Sequence, residues 1–146
     1  MAQRLADSFM PPQWATYIFV SSHMPRIELI SLAKDALQTK ATLVLNGFDA
    51  EKKLSPVAAQ EWIVEINREC CANASPEWVI HPKLFERYKV RQTPAFVLAR
   101  SEDPSPNEFS IVAGDMSLGN ALKFFVNSSR LPHVRSQAQK IYNQLN

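Results

Sequence analysis

The stretch Tyr17–Ala36, YIFVSSHMPRIELISLAKDA, most constrains the fold of this chain. Tyr17–Val20 is aromatic and β-branched, the composition of a buried strand. It runs into the polar turn Ser21-Ser22-His23. Pro25 then stands where a first helical residue stands, because its missing N–H is an orphan there in any case. Leu29, Ile30, Ala33, Ala36 and Leu37 follow at helical spacing. A strand that ends in a turn at a helix N-terminus converges backbone N–H groups on one point, so α/β proteins often keep their chemistry there. This turn carries no Cys, no glycine-rich loop and no nucleophile–base pair.

The chain around this unit reads as alternating strands and helices. Strand one is expected over Thr16–Val20 and helix one over Pro25–Gln38. The run Ala41–Asn46, ATLVLN, is apolar without alternation, which implies a strand buried on both faces and therefore parallel. Ser55-Pro56 reads as an N-cap and a favoured N1 proline. Ala59, Trp62, Ile63, Ile66 and Cys70 mark one face of a second helix. Asn73–Glu77 breaks it. Trp78–Ile80 is a short strand candidate, and Pro82 opens a short helix, PKLFERY. Ala95–Ala99 and Glu108–Ala113 form an expected antiparallel hairpin across the turn Ser101–Asn107. Asp115 or Ser117 caps the next helix, with Leu118, Ala121, Leu122, Phe125 and Val126 inward. After Leu131-Pro132, residues 133–145 form a terminal amphipathic helix.

One part of this order is diagnostic. A short helix, the turn Val90-Arg91-Gln92-Thr93-Pro94, a hairpin and a closing helix follow one another. That is the thioredoxin arrangement, in which the proline is cis and faces the turn after strand one. Thr93–Pro94 is therefore expected to be cis, an uncommon state for an X–Pro bond. The expected fold is a thioredoxin-like α/β three-layer sandwich with a central mixed sheet, no CxxC and an extra C-terminal helix. It divides into an N-terminal extension, 1–15, a thioredoxin-like domain, 16–130, and a C-terminal amphipathic helix, 131–146.

Composition narrows the function. With 146 residues, 46% of them hydrophobic, the chain can bury one domain's core. A net charge of +2 is too small to argue for nucleic acid. No run approaches the ~18 apolar residues of a membrane span. The opening MAQRLADSFMPPQW lacks the apolar core of a signal peptide, so the chain is either cytosolic or a form without its leader.

Five blocks in order carry a family resemblance. They are Phe19-Val20-Ser21-Ser22-His23-Met24-Pro25, Val44-Leu45-Asn46-Gly47 and Ile80-His81-Pro82-Lys83-Leu84-Phe85. Val90, Pro94, Phe96 and Val97 follow, then Gly114-Asp115, Ser117-Leu118 and Ala121-Leu122. Over about residues 16–126 the chain resembles TrbC, the pilin-assembly protein family of F-type conjugative transfer systems. Two positions depart from the family pattern: Asn46 stands for its Arg and His81 for its Asp. The resemblance implies a periplasmic thioredoxin-like domain, a role in assembling the conjugative pilus and type IV secretion machinery, and a TraW-like partner.

The residues themselves exclude redox catalysis at the first turn. That chemistry needs a thiolate at the helix N-terminus and a second, resolving thiol, and Ser and Met supply neither. Ser21 and Ser22 are expected to cap the first helix. A functional reading stands beside it: Ser21, Ser22, His23, Met24 and Pro25, with Thr93 and Pro94, keep a groove that holds an extended partner by strand addition. His23, His81 and His133 are far apart and lack ligand spacing, so no metal or cofactor is expected. No acidic orienter accompanies a Ser–His pair, which disfavours a hydrolase. A bridge between the adjacent Cys70 and Cys71 is strained; they read as a bystander pair, Cys70 on the apolar face and Cys71 exposed, with an intermolecular bridge as the alternative in an oxidising compartment. Glu61, Glu65 and Arg68 read as a wet helix face, and Arg87, Lys89 and Arg91 as a solvated basic strip. Trp62 and Trp78 fill core. Trp14 lies outside the expected fold and is a candidate partner anchor. The stripe Val134, Ile141, Tyr142 and Leu145 must cover either its own domain or another chain.

The function expected from all this is that of a non-catalytic periplasmic assembly factor for the F-type pilus. It acts by binding protein, with a TraW-like protein and other secretion-system or pilin components as partners and no nucleic acid. The alternatives are a thiol–disulfide oxidoreductase or isomerase using Cys70 or Cys71, and a generic periplasmic chaperone.

Overall fold

The computed structural model describes residues 13–47, 56–100 and 108–145. Ten elements run in the order β1 (Ala15–Val20), α1 (Arg26–Thr39), β2 (Thr42–Leu45), α2 (Pro56–Cys71), β3 (Glu77–Ile80), α3 (Pro82–Arg87), β4 (Ala95–Ala99), β5 (Phe109–Ala113), α4 (Leu118–Ser128) and α5 (Pro132–Tyr142). The strands form one mixed sheet in the order β3-β2-β1-β4-β5. β1 runs parallel to β2, with Phe19 opposite Val44, and antiparallel to β4, with Ile18 opposite Phe96. β2 is parallel to both of its neighbours, as its unbroken apolar run predicts. The hairpin β4–β5 is antiparallel.

Alternation sends successive strand residues to two cores. Ile18, Val20, Leu43, Leu45, Phe96 and Leu98 face a large cluster built with α1, α2, α4 and α5. Phe19, Val44, Ala95, Val97 and Ala99 face a smaller one, closed by Leu84, Phe85 and Tyr88 from α3 and its end. There the Phe19 and Phe85 rings meet edge to face at 4.9 Å, the arrangement their quadrupoles favour. Three layers result.

Several boundaries differ from the sequence reading. Pro25 is the N-cap of α1, not its first residue, and its carbonyl accepts from the N–H groups of Glu28 and Leu29. The N-cap Pro25 offers α1 no side-chain bond, and the Ser21 hydroxyl meets Thr93 rather than the helix; the turn closes by the Met24 N–H donating to the Ser21 carbonyl at 3.3 Å. β2 and β5 are shorter than expected and β3 begins at Glu77, while β4 spans Ala95–Ala99 as expected. Ser117 is the cap of α4, its hydroxyl accepting from the Asn120 N–H at 3.1 Å. Ser55, the loop before it, the turn 101–107 and residues 1–12 lie outside the described residues.

Both chain ends pack on the domain they flank. On α5, Val134, Ala138 and Ile141 are buried in the larger core, Ile141 at 4% exposure, and Tyr142 and Leu145 pack against it. Of the two outcomes open to this stripe, it covers its own domain. Trp14 is half-buried against the same core, 5.9 Å from the His133 ring. It therefore lies within the fold, contrary to expectation, because α5 supplies the surface it needs.

Cys70 and Cys71 are bonded to each other, where the sequence reading leaves them as a bystander pair. Both are half-buried at the last turn of α2, and Ala72 follows in the left-handed region at φ 53°. Nearby, Trp62 and Trp78 meet edge to face at 5.7 Å, and the Trp78 indole N–H donates to Asn67 Oδ1 at 2.8 Å. This end of α2 is thus ordered by packing and by the Trp78–Asn67 contact, among others.

Candidate functional groove

The carboxyl ends of β1 and β2 lie side by side because the strands are parallel. Open α/β sheets bind ligands at such ends. Val20 ends β1 in the core, and Ser21 begins the turn above it. Opposite stands the Thr93–Pro94 peptide, which is cis. Its place is fixed by the Gly114 N–H donating to the Pro94 carbonyl at 3.0 Å. Gly114 is at φ 143°, a conformation that side chains rarely adopt. The Thr93 hydroxyl donates to the Ser21 hydroxyl at 3.3 Å, joining the two turns.

Two depressions flank this contact. One, of about 380 Å³, has a floor of Val20, Leu45, Phe85 and Val90 and a rim of Ser21, Ser22, His23, Asn46, Gly47, Arg91, Gln92 and Thr93. The other, of about 410 Å³, is lined by Ser21, His23, Met24, Pro25, Glu28, Thr93, Pro94 and Asp115. Together they make one crevice with a step at Ser21–Thr93. Thr93 precedes the β4 register, and no described backbone group bonds to its N–H or C=O. An extended chain laid across the step meets those two groups.

The crevice brings together Ser21, Ser22, His23, Met24, Pro25, Thr93 and Pro94, the residues singled out at the two turns. It does not include Trp14, Ile141, Tyr142 or Leu145. Trp14 lines a separate cavity, with Tyr17, Lys40 and Arg87. Tyr142 and Leu145 line a shallow one between α4 and α5. Ile141 is buried and offers no surface. Sequence reasoning missed Asn46, Gly47, Phe85, Val90 and Gln92 as lining residues. The signal was present: residues that follow parallel neighbours β1 and β2 must share a rim.

The lining of the crevice offers hydroxyls, an imidazole, amides, two carboxylates and a guanidinium around an apolar floor. The two cysteines of the chain are bonded together at the end of α2 and line neither depression. Ser21 accepts from another hydroxyl, an arrangement that does not activate a nucleophile. Among the described residues no group of three His, Cys, Asp or Glu side chains is placed to hold a metal ion. Beside the crevice, Arg26 at the start of α1 bonds to Glu65 at 3.5 Å and to Glu69, both on α2. Glu69, then Glu65, hold the guanidinium above its ordinary pKa. All three side chains are about half exposed, so the pairs orient α1 against α2 more than they stabilise it.

The family model of the type-F conjugative transfer system pilin assembly protein, TrbC, matches residues 18–125. The chain belongs to this family. The match spans β1 to α4 and contains every residue that lines the crevice. No curated protein matches. Among solved structures, the chain is similar to MTB dsbF in its mixed oxidised and reduced forms, at 14% identity and a TM-score of 0.51, over 92% of this chain and 83% of that one. It is also similar to a secreted Mycobacterium tuberculosis disulfide oxidoreductase homologous to E. coli DsbE, at 16% identity and a TM-score of 0.48, over 93% and 85% of the two chains. The first likeness bears on the fold, which is thioredoxin-like. A TrbC-family chain thus has this fold without a CxxC.

The two departures from the TrbC pattern have different local consequences. His81 is the N-cap of α3, and its Nδ1 accepts from the Leu84 N–H at 3.2 Å. An aspartate at an N-cap accepts in the same way, so the capping function is kept. Asn46 lies on the same rim as Arg91. An Arg at that position would put a second cation on this rim.

Proposed function

We propose that this TrbC-family chain works in the periplasm as a non-catalytic assembly factor for the F-type conjugative pilus and its secretion machinery. It grips an extended segment of a TraW-like protein in the crevice between the Ser21–Pro25 turn and Thr93–Pro94. The observation that carries this reading is a helix start stripped of thiols beside an intact crevice whose central residue, Thr93, has backbone groups free of described backbone partners. Strand addition there uses main-chain bonds for affinity and the floor of Val20, Leu45, Phe85 and Val90 for side-chain selection. No helix among the described residues is long and apolar enough to cross a membrane.

The thiol–disulfide alternative would have to run through Cys70 and Cys71, which lie outside the crevice. Two measurements separate the readings. In a transfer-deficient strain lacking this gene, the Cys70→Ser/Cys71→Ser double variant restores pilus assembly and Val90→Asp does not. In an insulin-reduction assay the wild-type chain is inactive. Turnover that is lost in the double variant would replace this proposal with the enzymatic one.

A further inference from the structure

The crevice is electrically two-ended, and this bears on what segment it accepts. The depression over the Val20–Leu45–Phe85–Val90 floor carries the exposed cation Arg91 on the rim. The one beside Met24 and Pro25 carries the carboxylates of Glu28 and Asp115. The two ends meet at the Ser21–Thr93 step. Among the described residues Arg91, Glu28 and Asp115 form no ion pair, in contrast to Arg26 nearby, which is paired twice. Their charges are therefore directed at whatever enters. Glu28 lies in the first turn of α1.

Resting on the groove reading above, we infer that the crevice selects a bipolar extended segment. The segment has an acidic residue at the Arg91 end, an apolar residue over the Val20–Leu45–Phe85–Val90 floor, and a basic residue at the Glu28–Asp115 end. Main-chain pairing at Thr93 is blind to sequence, and the apolar floor accepts many side chains. Charge at the two ends fixes both the direction in which the segment lies and its register, the role that charge pairs play best at an interface. A segment charged alike at both ends is repelled from one of them.

The test uses the full chain and short blocked serine peptides with one central leucine. They carry lysine at one end and glutamate at the other, in both orders; lysine at both ends; glutamate at both; or no charge. One bipolar order binds about three- to tenfold tighter than the neutral and like-charged peptides, as expected of two exposed pairs, and the preference collapses in high salt. Arg91→Glu shifts the preference to the peptide with lysine at both ends, and Asp115→Lys, made together with Glu28→Gln so that no carboxylate opposes the new lysine, shifts it to the peptide with glutamate at both ends. Both positions are exposed, and the gain for a swapped peptide shows that each variant is folded. Equal binding of all peptides, or wild-type preference for a like-charged one, overturns the inference and leaves the groove reading standing. Failure of every peptide to bind overturns both.

Discussion

Thr93 and Ser21, 72 residues apart in the chain, are joined hydroxyl to hydroxyl at 3.3 Å. This contact ties the turn after β1 to the cis-proline turn before β4. It is part-buried, so its loss leaves Ser21 without its partner while the shape of the crevice is nearly kept. Thr93→Val is expected to lower stability by about 0.5–1.5 kcal/mol, the net contribution of one such bond. Urea denaturation followed by circular dichroism measures this. Thr93→Ser, which keeps the hydroxyl, retains most of the stability.

Gly114 holds the other side of the cis-proline turn. Its φ of 143° suits glycine, and a Cβ placed there would meet Met116 Cε at 3.3 Å. Its N–H also fixes the Pro94 carbonyl. Gly114→Ala is expected to cost about 1–3 kcal/mol, the range for a side chain forced into a sparsely populated backbone region. A matching fall in affinity for crevice ligands accompanies it, because the turn that lines the crevice shifts.

Ile141 decides what α5 is for. It is 4% exposed in the core shared with α4 and the sheet. Ile141→Ala is expected to destabilise the whole domain by about 2–5 kcal/mol, the usual cost of removing a buried aliphatic side chain. Unfolding stays a single transition, measured by calorimetry, because α5 belongs to the same cooperative core. A separate low-temperature transition for α5 would contradict this packing.

Asp35, on α1, faces a cavity shared with Ser117, Lys123 and Tyr142. Burial pushes its carboxyl above the ordinary value of 3.8, with Lys34 opposing. The folded carboxyl thus keeps its proton to higher pH than the unfolded one. Between those two values the native state binds more protons, so this group's contribution to stability falls as pH rises from about 3.8 upward. Asp35→Asn carries no charge to desolvate. Its stability relative to wild type is expected to rise from acid toward neutral pH and then level off, read from thermal midpoints over that range.

Much of this was legible in the sequence because local and global signals agree. The non-alternating run Thr42–Leu45 could only be a doubly buried strand, and the order of short helix, Thr93-Pro94 and hairpin specified the fold and the cis bond. What failed was decided by tertiary contact. Ser21 sits where an N-cap is expected, but its hydroxyl meets Thr93 instead. Trp14 and the α5 stripe lie outside the thioredoxin-like frame in sequence, and only their mutual packing shows that they complete it. Adjacent cysteines argue against a bridge on geometry, yet the end of α2 accommodates one. Asn46 could have been placed on the rim from the parallel pairing of β1 and β2, whereas Gln92 is a polar loop position with no pattern of its own.

The central claim is that the crevice grips a protein partner. Calorimetric titration of the purified chain with the TraW-like protein of the same transfer system tests it most directly, comparing wild type with Val90→Asp, which puts a charge on the crevice floor, and with Lys140→Glu on the exposed side of α5. The account expects saturable binding by wild type and Lys140→Glu, and a loss of at least about tenfold, or ~1.4 kcal/mol, for Val90→Asp. Binding that Val90→Asp leaves unchanged, or that Lys140→Glu abolishes, would contradict it.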